Sequence, residues 1–386
     1  MNYLKLTIFI LMLLLGLTSC SYIKNVNLLT GGEIKRKNFV QTIPFELRKD
    51  LIVVKAFINN DSIEREFIFD TGAFNSKVES KLADNLELQV VTQKTNSTAQ
   101  GVSKKIDVMR VDSIRLGETY IYNAGAGKVV YEANSASPCI AANGIIGANI
   151  IKLAHWKIDF KNKLLHFSDK PFETHPNSLV LPFDKPLLSG TPSIDLEING
   201  KEVQNVLFDL GFNGGLVLPR SVAHHFESEH TQVLYDQSTS GIYGTNTDTL
   251  IVKSLELNID GFKTHIPIEF SSLNKALLGN EFLKHFVVTI NYDKNEINLQ
   301  NQQKVTVESP KLFIAGIKND SLWTVNRTSA NLPFTLGEPL LSVNGKKPHE
   351  LFSSYCDYIM NINSLLDKDS LVVEKMNGQI KTILIN

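Results

Sequence analysis

Phe69-Asp70-Thr71-Gly72-Ala73-Phe74-Asn75 returns as Phe208-Asp209-Leu210-Gly211-Phe212-Asn213-Gly214, at an offset of 139 residues (209 − 70). Both stretches share one frame: an aromatic residue, an aspartate, one variable residue and a glycine. The likeness continues outward. Ile43-Pro44-Phe45-Glu46 recurs as Leu181-Pro182-Phe183-Asp184, at an offset of 138 (181 − 43). N-G-I-I-G-A-N at 143–149 recurs as K-A-L-L-G-N-E at 275–281, and Ile158 to Lys163 recurs as Ile290 to Asn295, both at an offset of 132 (290 − 158). Four blocks in one order mark an internal repeat, which constrains the architecture before any element is named. Leu51 to Ile58 leads through Asn59-Asn60-Asp61 into Glu66 to Phe69. Ile194, Leu196 and Ile198 alternate up to Asn199-Gly200, and Val203 to Phe208 return. Both are hairpin patterns, and the intervening segments are rich in β-branched and aromatic residues. Each copy is therefore expected to be a mainly β lobe of about 130 residues.

After Gln303 the pattern changes. Lys311 to Ile317 and Leu322 to Asn326 read as strands, and Leu336 to Lys346 as a turn and a strand ending on Asn344-Gly345. Leu351, Tyr355, Tyr358 and Ile359 fall near helical spacing, and Leu371 to Lys375 with Gln379 to Ile385 form a closing hairpin. The expected division is a leader over 1–19, a linker over 20–40, lobe one over 41–172, lobe two over 173–306 and a small α+β domain over 307–386.

Composition bounds the function. With 386 residues, 43% apolar and 20% charged, the chain is long enough for more than one folded core. Its 39 Lys and Arg against 40 Asp and Glu leave a net charge of −1, which gives no broad field for nucleic acid. His224, His225, Glu227, Glu229 and His230 crowd one stretch, but His225 to His230 is not the spacing that puts two ligands on one helical face, and a solvated face is expected. Neither metal nor cofactor is expected. Cys139 and Cys356, far apart in sequence, are too few for a disulfide scaffold; they read as a small buried residue and as part of the apolar side of the last helix. Neither has a nearby histidine to activate a thiol.

The N-terminus carries Lys5, an apolar run over Leu6 to Leu15, and Leu17-Thr18-Ser19-Cys20, a charged start, a short hydrophobic region and a small-residue cleavage site. The run is too short for an ordinary transmembrane span. L-T-S-C resembles the lipobox of bacterial lipoproteins. The resemblance implies cleavage before Cys20, lipid on Cys20, and a place in the cell envelope on the periplasmic or extracytoplasmic side of a bacterial membrane.

An aspartate at the end of a buried strand, before a tight glycine loop, is poised for chemistry, because Gly72 lets another backbone approach. Two such loops brought together about a pseudo-twofold axis would set Asp70 and Asp209 near contact. Two carboxylates so close share one proton and can activate a water. D-T-G-A at Asp70 to Ala73, followed by I-I-G at Ile145 to Gly147, resembles the signature of the pepsin and retropepsin aspartic proteases; the second copy supplies Asp209, Gly211 and Leu277-Leu278-Gly279. The resemblance implies two β-barrel lobes flanking a cleft, catalytic Asp70 and Asp209, and Thr71, Gly72, Gly211, Gly147 and Gly279 in support. It also implies a peptide or protein substrate beneath a hairpin flap, with Gly101 and Tyr243 as the candidate tips. Leu210 departs from the family, which has Thr or Ser after each aspartate. The implied activity is an aspartic-type endopeptidase, and the alternative is a catalytically dead, peptide-binding lipoprotein. Thr328 to Pro348, with Leu371 to Ile385, resembles PDZ domains, which implies capture of extended peptides by the last domain.

Overall fold

The computed structural model describes residues 28–385 apart from 100, 134, 187, 238, 239 and 320. The leader and Cys20 lie outside the described residues. The chain is mainly β, and its repeat is visible in three dimensions. In lobe one, Leu51–Ile58 places Ile52, Val54, Ala56 and Ile58 in the main core, the period-two pattern of a strand with one face turned inward. It pairs antiparallel with Arg65–Phe69, which ends at Asp70. Gly144–Ile146 then slots in parallel beside that strand, Ile145 opposite Ile68 and Ile146 opposite Phe69. Lobe two repeats the device: Lys201–Phe208 ends at Asp209, with Leu277 opposite Leu207 and Leu278 opposite Phe208.

The lobes are joined at their base by one antiparallel sheet in the order Val40–Pro44, Leu164–Ser168, His155–Asp159, Phe286–Asn291, Glu296–Asn301, Leu179–Asp184. At its middle Lys157 faces Thr289. These two are the same position in the two copies, 132 apart (289 − 157), so the pseudo-twofold axis passes between them. A single hydrophobic core runs under both lobes, with Phe69, Phe208, Leu210, Trp156 and Phe282 in it.

The stretch expected as a linker needs correction in its later part. Glu33–Ile34 pairs with the strand Thr119–Val129, and Phe39 is buried edge-on to Phe167 at 5.8 Å. The Asn38 and Phe39 amides also donate to the Asp169 carboxylate, at 2.7 and 3.1 Å, so the buried ring, the strand pairing and these bonds together tie the segment down.

The last domain has its own core around Phe313, Trp323, Val343, Leu371 and Val373. Its strands are Phe313–Asn319, Leu322–Ser329, Pro339–Val343, Ser370–Lys375 and Ile380–Leu384, with the main helix at Tyr355–Asn361. It reaches both lobes. Leu322–Ser329 pairs with Thr231–Asp236 of lobe two, where Arg327 and Asp236 form an ion pair at 2.7 Å. Toward lobe one, Cys356 forms a disulfide with Cys139, closing a sequence separation of 217 residues. This overturns the expectation for both cysteines. The pairing depends on Ser137–Ile140 meeting Tyr355–Asn361 in the fold, which no local pattern records. No helix among the described residues is long and apolar enough to cross a membrane.

Candidate active site

Asp70 and Asp209 meet where the two glycine loops cross. Each loop is pinned to its own lobe. The Asp70 amide donates to Ile146 and the Asp209 amide to Leu278, at 3.0 and 2.9 Å. Asp70 Oδ1 accepts from the Ala73 amide and Asp209 Oδ1 from the Gly211 amide, both at 2.8 Å. Against one another the loops leave no spare room. A Cβ on Gly72 would stand 2.4 Å from Asp209 Cγ, and one on Gly211 would stand 2.1 Å from Asp70 Cγ. Glycine at both positions is thus the condition for the carboxyl groups to approach, near enough for each to act on the ionisation of the other.

Behind the loops, Gly147 and Gly279 let the inserted strands turn closely. A Cβ would fall 2.6 Å from the Asn75 carbonyl carbon in lobe one and 2.5 Å from the Gly214 oxygen in lobe two. Ser76, through its amide and hydroxyl, donates to Asn149 Oδ1, and Asn280 Nδ2 donates to the Leu210 carbonyl at 2.7 Å.

Thr71 crosses between lobes. Its hydroxyl donates to the Phe208 carbonyl at 2.7 Å and accepts the Leu210 amide at 2.9 Å. Leu210 has no hydroxyl to return the bond and instead packs in the shared core with no exposure. The interlobe grip is therefore formed from one side by hydrogen bonds and from the other by apolar packing.

Electrostatics separate the two carboxyl groups. Burial raises the pKa of Asp70, opposed first by the positive charge of Lys77. Burial raises Asp209 as well, and there the next contribution, the charge of Asp70, adds to it, so Asp209 is pushed well above the usual carboxylate range. The arrangement favours one shared proton resting toward Asp209, with Asp70 the first to ionise.

The two expected flap tips differ in setting. Gly101 sits at the turn joining Val90–Ser97 to Ser103–Leu116, with φ of +78° and open space around it. Tyr243 lies in the turn between Ser240–Gly241 and Gly244–Thr245 and reaches across to lobe one. Its hydroxyl accepts from Asn96 Nδ2 at 2.9 Å, and the Lys104 ammonium lies 4.8 Å from its ring centroid. Ser135 Oγ donates to the Gly241 carbonyl at 2.8 Å. Ile242 and Tyr243 pack with Val129, Ile140 and Ala73 of lobe one and with Ile359 and Met360 of the last domain. The two hairpins thus touch one another through Tyr243, Asn96 and Lys104.

Lys77, Asn75 and Lys94 were not among the residues singled out from the sequence. Lys77 occupies the position of Val217 in the other copy, since each stands opposite an equivalent residue of the inserted strand, Ile145 and Leu277. A lysine where the second copy has a buried valine was the available signal.

A cavity of about 610 Å³ in lobe two, lined among others by Val203, Val222, His225 and Phe226, includes neither aspartate. The perturbed, paired carboxyl groups mark the candidate site better than cavity size does. Among the described residues no group of three or more His, Cys, Asp or Glu is placed to hold a metal.

A family model described as aspartyl protease matches residues 54–150, the part of lobe one that holds Asp70, Thr71, Gly72 and Gly147. Residues 54–150 form an aspartyl-protease-like domain. No curated protein matches the chain.

Proposed function

We propose that the chain is an aspartic-type endopeptidase that hydrolyses peptide bonds with a water held between Asp70 and Asp209. The observation that carries this reading is the reciprocal fit of Gly72 against Asp209 and Gly211 against Asp70, which has no use in a turn of purely structural purpose. In the proposed reaction the ionised carboxylate takes a proton from water as its oxygen attacks the peptide carbonyl. The protonated carboxyl group donates to the carbonyl oxygen. Collapse of the tetrahedral species breaks the C–N bond as the amine receives a proton from the dyad. The hairpins carrying Gly101 and Tyr243 would close over the peptide and exclude bulk water.

The sequence at Cys20 supports a lipid-anchored protein of the bacterial cell envelope. The last domain, read as PDZ-like, would present or select chains for the cleft. On that reading its edge strand Phe313–Asn319 is the docking strand, and Tyr358, whose hydroxyl donates to the Ala315 carbonyl at 3.0 Å, would have to yield that carbonyl to an incoming peptide.

A second reading, a cleft that binds peptides without cutting them, is favoured by Leu210, which supplies no hydroxyl to the grip. Incubation of the purified protein with a peptide library from acid to neutral pH separates the two. Cleavage that disappears in Asp70→Asn and in Asp209→Asn supports the peptidase, and binding without turnover supports the alternative.

A further inference from the structure

Ser76 and Val78 turn into lobe one, Ser76 toward Asn149 and Val78 into the main core. Strand alternation therefore sends Lys77 to the opposite face, the one bearing Asp70. In register beside it is Gly127, where a Cβ would meet Lys77 Cγ at 3.9 Å and Ile106 Cδ1 at 2.6 Å. Ile106 belongs to the Gly101 hairpin and pairs there with Lys94. Lys77 thus lies under that hairpin, and Lys94 belongs to it.

Both ammonium groups converge on Asn75. Lys77 Nζ donates to its backbone carbonyl at 3.2 Å and Lys94 Nζ to its Oδ1, while Asn75 Nδ2 is fixed by the Leu29 carbonyl at 2.6 Å. Lys77 is only 6% exposed. Among the described residues neither lysine forms an ion pair with a carboxylate; the negative charge that acts on Lys77 is that of Asp70, half of a dyad that shares one proton and so carries one charge. Two cations held together out of water against one shared negative charge leave one positive charge unbalanced, which is costly. Consistent with that, burial and the charge of Lys77 bring Lys94 down to about 8.

We propose that Lys77 and Lys94, set on Asn75 beside Asp70, form an anion subsite that seats a carboxylate of the substrate near the scissile bond. The carboxylate is either an Asp or Glu side chain or the C-terminus of the peptide. The proposal rests on the cleft being a peptide site. It explains why two cations face the single charge of the dyad at the cleft, since an arriving carboxylate would balance the second and satisfy the remaining N–H donors of both.

The test measures binding of end-blocked peptides to Asp209→Asn, which leaves Asp70 and Lys77 in place, alongside turnover by the wild-type chain. One peptide pair carries a central Glu or Gln, and the other ends in a free carboxylate or an amide. The expected result is at least about tenfold tighter binding of an acidic form than of its neutral twin. A Glu preference assigns the side chain, and a free-terminus preference assigns the C-terminus. Lys77→Met and Lys94→Met, each placed on the Asp209→Asn background, should abolish the preference; should Lys77→Met fail to fold, Lys94→Met carries the test. Equal binding of acidic and neutral forms overturns the subsite whatever the turnover. Acid-selective binding with no wild-type cleavage of any peptide overturns the peptidase reading and sustains the subsite. No binding of any peptide overturns both.

Discussion

Thr71 accepts the buried backbone N–H of Leu210 across the lobe boundary at 2.9 Å, and nothing on the side chain of Leu210 can return a hydrogen bond. The two halves of a near-symmetric molecule are thus held at the candidate site by an asymmetric pair, and each member can be tested.

Thr71→Val keeps the shape and removes the hydroxyl, stranding the Leu210 amide and the Phe208 carbonyl together. The expected cost is about 1–3 kcal/mol, seen as a melting temperature lowered by several degrees, with turnover reduced as well. Thr71→Ser should recover most of both. A valine variant as stable and as active as wild type would mean that the crossing bond holds nothing.

Leu210→Thr is expected to lower stability by about 2–3 kcal/mol and to leave turnover no higher than wild type. Leu210 fills fully buried space, and threonine gives up part of that packing while bringing a hydroxyl inward. Paired thermal melts and peptide-cleavage assays decide the matter. Increased turnover at unchanged stability would show instead that the missing half of the grip limits the site.

Gly211→Ala inserts a methyl group 2.1 Å from Asp70 Cγ, so the carboxyl groups must part. Displacements near 1 Å at a reacting centre cost on the order of a hundredfold, so kcat should fall by about that much or more. Gly200→Ala serves as the control, since its hairpin turn is open and the expected effect is confined to mild backbone strain at positive φ. Similar losses in both variants would argue against the close approach.

Asp209→Asn should stabilise the protein at neutral pH and not in acid. The pKa of Asp209 is raised in the folded state, so the group is protonated in both states below about pH 3.9 and contributes nothing there. As pH rises above that value the unfolded chain releases the proton while the folded chain retains it, and stability falls until the raised folded pKa is passed. Asparagine removes this loss. Melts at pH 3 and pH 7 should show a gain for the variant only at the higher pH, and a gain of equal size at both would sink the assignment.

Much of the fold was legible because the repeat copies the parts that topology needs: a strand ending in Asp, a glycine loop, and a short apolar segment ending in glycine. Those blocks became the parallel pairs of Ile145 with Ile68 and Leu277 with Leu207. Asp70 and Asp209 could be singled out for the same reason. Lys77 could not be picked out by its type, since one lysine in a strand usually points to water, and its burial follows from the Gly101 hairpin folding over Gly127. The Cys139–Cys356 bond is equally silent in the sequence, because its partners are brought together by the docking of a domain. The glycines around Tyr243 mark a turn in the sequence, whereas its contact with Asn96 depends on two lobes meeting and has no local signal.

The bond between Cys139 and Cys356 makes a covalent ring of everything from residue 139 to residue 356, all of lobe two included. A single cut within the ring opens it without parting the molecule. If the protein nicks its own chain there, or is nicked by another protease, the product will run as one species until a reductant is added. Fragment patterns from reduced and unreduced samples would therefore tell whether a cut falls inside the ring or in the tails outside it.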